Sequence, residues 1–189
     1  MQLPSQLSAH EIETARLRLR MFTLRDTDDY FLLRSDPEVM RYIGTGATST
    51  REQTTTKLSW VLMQWEKHGF GIWAVVDKKS ENLIGWAGLS FLDGNPEIEV
   101  GYGLAKAYWG TGMATEAAWA SLRYGFEELQ LDRIVAVAVP ENAASQRVME
   151  KAGMRYVKLA HYYGVDVAYY EITRGNFRPG NSFYILRKK

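Results

Sequence analysis

Apolar and polar residues alternate along several short segments of the chain, and each such segment predicts a β-strand with one buried face. The first is 16–21, in which arginines occupy the outward positions. The near-continuous apolar run at 134–139 instead predicts a strand that is covered on both faces. The other segments with strand patterns are 71–76, 83–91, 97–104, 154–161 and 165–173.

Helical spacing of apolar residues occurs between these strands. A long helix is predicted over 112–129, with one stripe of small residues and one of bulky residues. Another is predicted over 48–67, where Thr50 and Gln53 resemble a capping box. Its apolar face consists of Leu58, Val61, Leu62 and Trp65. Shorter helical segments are predicted at 26–35, 36–44 and 142–151.

The order of these elements predicts one α/β domain with a mixed sheet, spanning residues 1–189. The step from the strand at 97–104 through the long helix to the strand at 134–139 is a crossover, which joins parallel neighbours. Residues 1–13 are polar without a clear period, so they are expected to lie loosely on the surface. Residues 174–189 are expected to form a basic, mixed C-terminal tail.

One face of the strand at 97–104 has an unusual composition. Glu97, Glu99, Gly101 and Gly103 share it, whereas the opposite face is apolar and is predicted to be core. The two glycines have no side chains, so they leave room beside the glutamates for another molecule to lie against the strand. A solvated strand face explains the glutamates equally well, so both interpretations stay open.

The next residues, 102–116, run from this strand through a glycine-punctuated turn into the long helix. Gly110 and Gly112 remove side chains where the backbone must bend. The first turn of a helix has N–H groups without intrahelical partners, and these groups and the helix dipole attract phosphate. The segment therefore predicts a cradle for a pyrophosphate, although glycine-rich strand-to-helix turns also occur as plain connections.

Composition excludes several classes of function. The 23 basic and 22 acidic residues give a net charge of +1, which argues against a nucleic-acid partner as the main activity. The chain has no cysteine, so disulfides, thiolate metal sites and cysteine nucleophiles are excluded. Its 3 histidines lack metal-ligand spacing. Without a signal-peptide pattern or a long uncharged apolar run, a cytoplasmic protein with no membrane partner is expected.

These motifs together resemble the GNAT acetyltransferase family. The family's signature turn, Gln/Arg-x-x-Gly-x-Gly/Ala, is matched by 109–114, with the aromatic Trp109 at its first position. Tyr-Trp-Gly-x-Gly followed by Ala-Thr-Glu-Ala is similar to the branch that contains the ribosomal-protein N-terminal acetyltransferases. Further segments that resemble this branch are 14–20, 99–102, 140–145 and 150–154, and the resemblance covers roughly residues 14–177.

The resemblance implies a mixed, mostly antiparallel sheet of about seven strands with a central parallel pair, flanked by about four helices. It also implies acetyl-CoA as the cosubstrate and no metal. Backbone groups of Tyr102 and Leu104 would pair with the pantetheine and the acetyl carbonyl, as an added strand pairs with a sheet edge. Asn142 would hydrogen-bond the pantetheine amides, or it is a simple helix cap. The pyrophosphate would be held by backbone N–H groups of Gly110, Thr111, Gly112, Met113, Ala114 and Thr115.

Acetyl transfer to an amine requires a base for the amine, donors for the developing oxyanion and a proton for the leaving thiolate. The resemblance implies Glu99 as the base, with Glu97 as the runner-up. Many family members carry a tyrosine four residues before the glycine of the later motif, where this chain has Met149, which cannot donate a proton. Ser145 is the replacement candidate, and a capping or helix-surface hydroxyl is its alternative.

The favoured function is therefore an acetyl-CoA-dependent N-acetyltransferase that acts by direct attack in a ternary complex. Its acceptor partner is a primary amine, either a protein N-terminus or a small molecule. One alternative is an acyl-CoA-binding sensor without turnover, which Met149 favours. Another is a nucleotide-binding protein, which is disfavoured because the chain lacks G-x-G-x-x-G and G-K-[ST] motifs. The assembly is left open, with a homodimer as one expectation.

Overall fold

Nine strands in one sheet and five α-helices make up the protein in the computed structural model, which describes residues 10–180 and 182–188. The strands are β1 His10–Thr14, β2 Leu17–Met21, β3 Ile72–Asp77, β4 Leu83–Phe91, β5 Ile98–Leu104, β6 Arg133–Ala138, β7 Arg155–Tyr162, β8 Val165–Thr173 and β9 Tyr184–Lys188. The helices are α1 Thr27–Ser35, α2 Pro37–Met40, α3 Arg51–His68, α4 Met113–Glu127 and α5 Ala143–Lys151. No helix within these residues has the length and apolar character needed to cross a membrane.

The strand order across the sheet is β7-β8-β6-β5-β4-β3-β2-β1-β9. Every neighbouring pair is antiparallel except β5 and β6, which are parallel and joined through α4. The predicted α/β class, the mostly antiparallel mixed sheet and the central parallel pair are therefore confirmed.

The parallel pair separates along its length. Glu99 and Val135 are paired, but β5 then diverges from β6 and continues to pair with β4 as far as Leu104. Over this last part of β5, the edge that faces β6 has no strand partner among the described residues. The separation leaves a gap at the C-terminal ends of the two central strands.

Helix α3 forms where its sequence pattern predicts. Thr50 Oγ1 accepts from the Gln53 N–H (3.2 Å) and Gln53 Oε1 accepts from the Thr50 N–H (2.8 Å), which completes the predicted capping box. Gly69 ends the helix with φ 72°, a left-handed conformation that suits glycine. The buried Trp65 donates its indole N–H to the Ile72 carbonyl (3.0 Å), so the helix is fixed against β3.

Helix α4 packs its small residues against the sheet. Ala117, Ala118 and Ser121 are buried, and a methyl group placed on Gly125 would lie 2.5 Å from Ile134 Cδ1. A larger residue at position 125 would therefore push the helix away from the strand that follows it. The close approach holds the C-terminal half of α4 against β6.

Two segments that lacked a clear pattern are strands at one end of the sheet. The expectation that residues 1–13 lie loosely on the surface is wrong for 10–13, because β1 pairs with both β2 and β9; residues 1–9 lie outside the described residues. Likewise, the predicted tail at 174–189 contains β9. The partners β1 and β9 come from opposite ends of the chain, so no local pattern indicates their pairing, and the count of about seven strands was too low.

Candidate active site

A cleft of about 380 Å³ opens where β5 and β6 separate. It is bounded by the end of β5, the loop that follows, the start of α4, and α5, with residues 38–43 along one side. Thr111 and Met113 belong to the same loop and helix start but do not line it. The predicted cofactor-binding residues that line the cleft are Tyr102, Leu104, Gly110, Gly112, Ala114, Thr115, Asn142 and Ser145.

The free edge of β5 presents backbone groups to this cleft. The Ala105 N–H donates to the Ile84 carbonyl in the neighbouring strand β4 (2.8 Å). Because such pairs alternate along an antiparallel ladder, the N–H and C=O groups of Leu104 and Tyr102 point the other way, toward the gap. The indole of Trp109 donates to the Leu104 carbonyl (2.7 Å), which uses one of the two acceptor positions of that oxygen. The groups without a protein partner that an added strand could use are those of Tyr102 and the Leu104 N–H.

The glycine-rich turn leaves hydrogen-bond donors open at the start of α4. Gly110 and Gly112 have φ values of 75° and 82°, which other residues rarely adopt. Gly112 is the N-cap residue and has no side chain to cap the helix, whose first hydrogen bond runs from the Glu116 N–H to the Gly112 carbonyl. The N–H groups of the first helical turn therefore stay available for an anion. These features fit the pyrophosphate of a coenzyme A.

The two glutamates of β5 have different surroundings. Glu97 is paired with Arg133 (2.5 Å) and accepts from the hydroxyls of Tyr169 (2.8 Å) and Tyr162 (3.3 Å). No cation pairs directly with Glu99 among the described residues, and its carboxylate accepts only from the hydroxyls described next. Glu97 thus has the environment of a structural ion pair, and Glu99 is the better candidate for a base.

Hydroxyl groups hold the Glu99 carboxylate. Glu99 Oε1 accepts from Tyr163 (2.5 Å) and from Ser90 (3.2 Å). Burial raises the pKa of Glu99 above its ordinary value, and these two hydrogen bonds, together with the charge of Lys57, oppose the rise without cancelling it. A carboxyl group whose pKa is raised in this way takes up a proton more readily than an exposed one.

Two turns are joined beside Glu99. The Asp93 N–H donates to the Tyr163 hydroxyl (2.9 Å), and the Tyr163 N–H donates to Asp93 Oδ2 (2.9 Å). Both residues have positive φ values, 46° at Asp93 and 55° at Tyr163, which are unusual outside glycine and cost free energy. This Asp93–Tyr163 clamp fixes the β7–β8 turn against the β4–β5 connection. No sequence pattern indicates this clamp, because its two residues lie 70 positions apart in the chain.

The two glycines on the same face of β5 have different surroundings. A methyl group on Gly101 would meet no atom within 4 Å, so this position is open as predicted. One on Gly103 would lie 2.4 Å from Trp86 Cζ2, so the space over Gly103 is filled by an indole ring. The interpretation that both positions leave room for another molecule is therefore wrong for Gly103.

Ser145 lies beside a phenol in the wall of the cleft. Its Oγ is 3.0 Å from the hydroxyl of Tyr102, which also lies 3.0 Å from the Ser145 carbonyl. Burial raises the pKa of Tyr102, so this phenol stays protonated across the neutral range. The sequence indicated only the backbone of Tyr102; its side chain is a further candidate for proton transfer.

Asn142 caps α5 as predicted, because its Oδ1 accepts from the Ser145 N–H (3.1 Å). Asn142 also lines the cleft, so the cap and a contact to the pantetheine are compatible. Met149 is buried in the core at 2% exposure, and its thioether cannot supply a proton. The position that holds a tyrosine in many family members therefore serves packing in this chain.

A partly buried lysine completes the surroundings of Glu99. Lys57 lies on α3 with its ammonium 3.7 Å from the centre of the Trp60 ring. Burial lowers the pKa of Lys57 to about 8, with the charge of Arg34 acting in the same direction and that of Glu99 opposing it. No sequence pattern distinguished Lys57 from the other charged residues of this helix. Within the described residues, no group of three metal-ligating side chains is found.

A cleft of this kind suits an acyltransferase that takes its acyl group from coenzyme A. An extended pantetheine arm can pair with a free strand edge, and a pyrophosphate binds at a helix N-terminus. Residues 16–155 match the family model of the acetyltransferase (GNAT) domain. The chain therefore belongs to the GNAT family of acetyl-CoA-dependent N-acetyltransferases, as its motifs predicted.

Comparison with individual proteins agrees with this assignment. The chain is 35% identical over 164 residues to YkkB, an uncharacterized protein of Bacillus subtilis, with 85% of this chain and 94% of that protein covered. The crystal structure of a GNAT-family acetyltransferase from Bacillus anthracis matches with a TM-score of 0.74 and 32% identity, over 87% of this chain and 99% of that one. The ribosomal-protein-S5-alanine acetyltransferase of Vibrio fischeri shares the fold, with a TM-score of 0.71 and 23% identity over 89% and 99% of the two chains.

Proposed function

We propose that this protein transfers the acetyl group of acetyl-CoA to a primary amine, of a protein N-terminus or a small molecule, by direct attack in a ternary complex. The observation that carries the proposal is the contrast between Glu99 and Glu97 on β5. Glu99 is held by hydroxyls and its pKa is raised, whereas Glu97 is paired with Arg133. Glu99 does not line the cleft but lies farther back on the strand whose free backbone edge reaches it, and this arrangement suits amine acylation with water between the amine and the base.

Glu99 acts as the general base. An amine must lose a proton before or during attack, and a carboxylate with a raised pKa can receive it. Glu99 lies three residues before Tyr102, which corresponds to about 10 Å along the strand. A chain of ordered waters from the amine to Glu99 Oε1 would span this separation, and the raised pKa of Glu99 favours its protonated form once it has received the proton.

The cleft wall supplies the remaining groups. Bound acetyl-CoA supplies the thioester whose carbonyl carbon forms the new C–N bond while its C–S bond breaks. The backbone N–H of Tyr102 or of Leu104, which faces the gap, would donate to the carbonyl oxygen. The Ser145 hydroxyl, which lies within hydrogen-bond distance of the Tyr102 phenol, would donate a hydrogen bond to the leaving sulfur, and the CoA thiolate would take its proton from solvent while the amine proton goes to Glu99. No covalent bond to the protein is formed in this scheme.

Thermal unfolding with and without ligands tests the cofactor assignment. Acetyl-CoA at about 100 times its dissociation constant should stabilise the protein by roughly 2.7 kcal/mol. NAD and ATP at matched concentration should have little effect. If one of these raises the unfolding midpoint and acetyl-CoA does not, the glycine turn binds another nucleotide and the proposal fails.

Thiol release with a panel of primary amines then separates the enzyme from a sensor that binds acyl-CoA without turnover. The protein contributes no background signal in this assay, since it has no cysteine. Amine-dependent release of CoA supports the transferase. Binding of acetyl-CoA without release for peptides with free N-termini or for small amines supports the sensor, which the buried Met149 favours.

A further inference from the structure

Arg16 joins the start of the sheet to the phosphate-binding turn. It lies between β1 and β2, and its Nη1 donates to the Thr111 carbonyl (2.8 Å). Its Nε donates to Glu116 Oε2 (2.7 Å) and its backbone N–H to Glu116 Oε1 (2.9 Å). The Thr14 hydroxyl adds a further bond to the same carboxylate (2.6 Å). The guanidinium is thus fixed against the turn although its side chain is 43% exposed.

The bond to Thr111 constrains the direction of the next N–H group. In a trans peptide, the C=O of one residue and the N–H of the following residue point in opposite directions. By holding the Thr111 carbonyl on its own side, Arg16 turns the Gly112 N–H away from itself, toward the opposite side of the turn. Gly112 lines the cleft, so a change at Arg16 alters the orientation of a cradle donor without removing it.

Arg16 also balances a negative charge near the cradle. Glu116 lies in the first turn of α4, where its carboxylate would repel a bound pyrophosphate. The ion pair with Arg16 neutralises this charge. The remaining guanidinium nitrogen, Nη2, makes no hydrogen bond among the described residues and lies 3.6 Å from the position that a Cβ atom of Gly112 would take.

We propose that Arg16 is a positioning residue for the donor's pyrophosphate: it orients the Thr111–Gly112 peptide and neutralises Glu116. The proposal rests on acetyl-CoA being the donor. It concerns the pyrophosphate alone, so Arg16 has no part in the chemistry at the amine or the thioester. Its removal should therefore raise KM for acetyl-CoA and leave kcat little changed.

The test compares two donors in the R16Q variant. With acetyl-CoA, KM should rise about tenfold or more, because the pyrophosphate then meets a reoriented Gly112 N–H and a Glu116 carboxylate that is no longer neutralised. With S-acetylpantetheine, which lacks the pyrophosphate, kcat/KM of R16Q should stay within about twofold of the parent protein. An equal loss with both donors would assign Arg16 a general structural role and overturn the proposal. The matched control is R18Q, which removes a surface pair with Glu81 two residues along the chain and should not affect either donor.

A binding measurement covers the case in which turnover of the truncated donor is too slow. The calorimetric dissociation constant of CoA should rise about tenfold in R16Q and recover in part in R16Q/E116Q, because the second change removes the unpaired carboxylate. A dissociation constant of R16Q within twofold of the parent value contradicts the proposal. If R16Q does not fold, R16K replaces it: the ammonium keeps the charge but lacks the two separate nitrogens that bond Glu116 and Thr111, so the dissociation constant of CoA should still rise, and a value within twofold of the parent contradicts the proposal. If the parent protein itself fails to bind CoA, the proposed function fails instead.

Discussion

At the scale of single residues, the two carboxylates of β5 differ in their partners more than in their positions. They lie two residues apart on one face of the strand, but Glu97 is paired with Arg133 whereas Glu99 accepts hydrogen bonds from hydroxyl groups. These partners come from β4, β6 and the β7–β8 hairpin, which are distant in sequence. The surroundings of each carboxylate therefore decide which of them can act as a base.

Replacement of Glu99 by glutamine should lower kcat/KM at neutral pH by about 10²-fold or more, since it removes a positioned base. Because burial raises the pKa of Glu99, the acid limb of the parent pH–rate profile should lie above the ordinary carboxyl range, with activity rising as Glu99 ionises. In E99Q this limb should disappear, and activity should recover partly at high pH, where free amine is abundant.

The control is E97Q, the same substitution two residues away, and the measurement is kcat/KM across the pH range. E97Q should keep the acid limb because Glu97 is engaged by Arg133 and two tyrosines. If E97Q loses the limb and E99Q keeps it, the base has been assigned to the wrong glutamate.

Several site residues could be named from the sequence because a single local signal identifies each one. Positive φ at Gly110 and Gly112, and the cap at Asn142, are local properties of a turn or a helix end. The roles of the Tyr102 side chain and of Arg16 could not be named. Each depends on a contact across the fold, to Ser145 and to Thr111 respectively, that no local pattern contains.

At the scale of elements, the strands and helices that carry an amphipathic pattern could be predicted from the sequence. The two strands at the chain ends, β1 and β9, could not. β4 spans 83–91 as predicted, because its length and turn signals are contained in the segment itself. β1 has only two inward positions, Ile12 and Thr14, and too few residues to establish a period. Its identity as a strand depends on β2 and β9, and β9 is more than 160 residues away in the chain.

The Asp93–Tyr163 clamp is an interaction between elements whose removal should change the pH dependence of the enzyme. The Tyr163 hydroxyl donates to the Glu99 carboxylate and so favours its charged form. In Y163F, the pKa of Glu99 should rise further, and the acid limb of kcat/KM should move to higher pH. Y156F is a matched control, since Tyr156 is an exposed tyrosine of the neighbouring strand β7. An acid limb at the same pH in Y163F and the parent would show that Tyr163 does not act on Glu99.

At the scale of the whole molecule, folding stability at low pH should depend on Asp26, which is buried where β2 passes into the first helices. Burial by itself would raise the pKa of Asp26, but the paired bonds from Arg20 (2.7 and 2.8 Å) and the bond from the Thr23 N–H (2.7 Å) outweigh it, so the pKa is lowered. A lowered pKa in the folded state means that the ionised group stabilises the fold above its unfolded pKa, and that this contribution is lost as pH falls through the folded pKa.

The D26N variant should therefore lose about 3 kcal/mol of unfolding free energy at neutral pH, as expected when one charge of a buried ion pair is removed. The loss should shrink as pH falls below the ordinary aspartate range, since the parent protein then protonates Asp26 as well. Urea unfolding at a series of pH values measures both effects. D28N is the control: Asp28 pairs with Arg51 at the surface, with side chains 76% and 61% exposed, and its change should cost no more than about 0.5 kcal/mol. The ion pair with Arg20 stabilises the fold only when Asp26 is ionised, so its contribution must depend on pH. If the stability lost in D26N is the same at every pH, Asp26 stabilises the fold through packing and neutral hydrogen bonds instead.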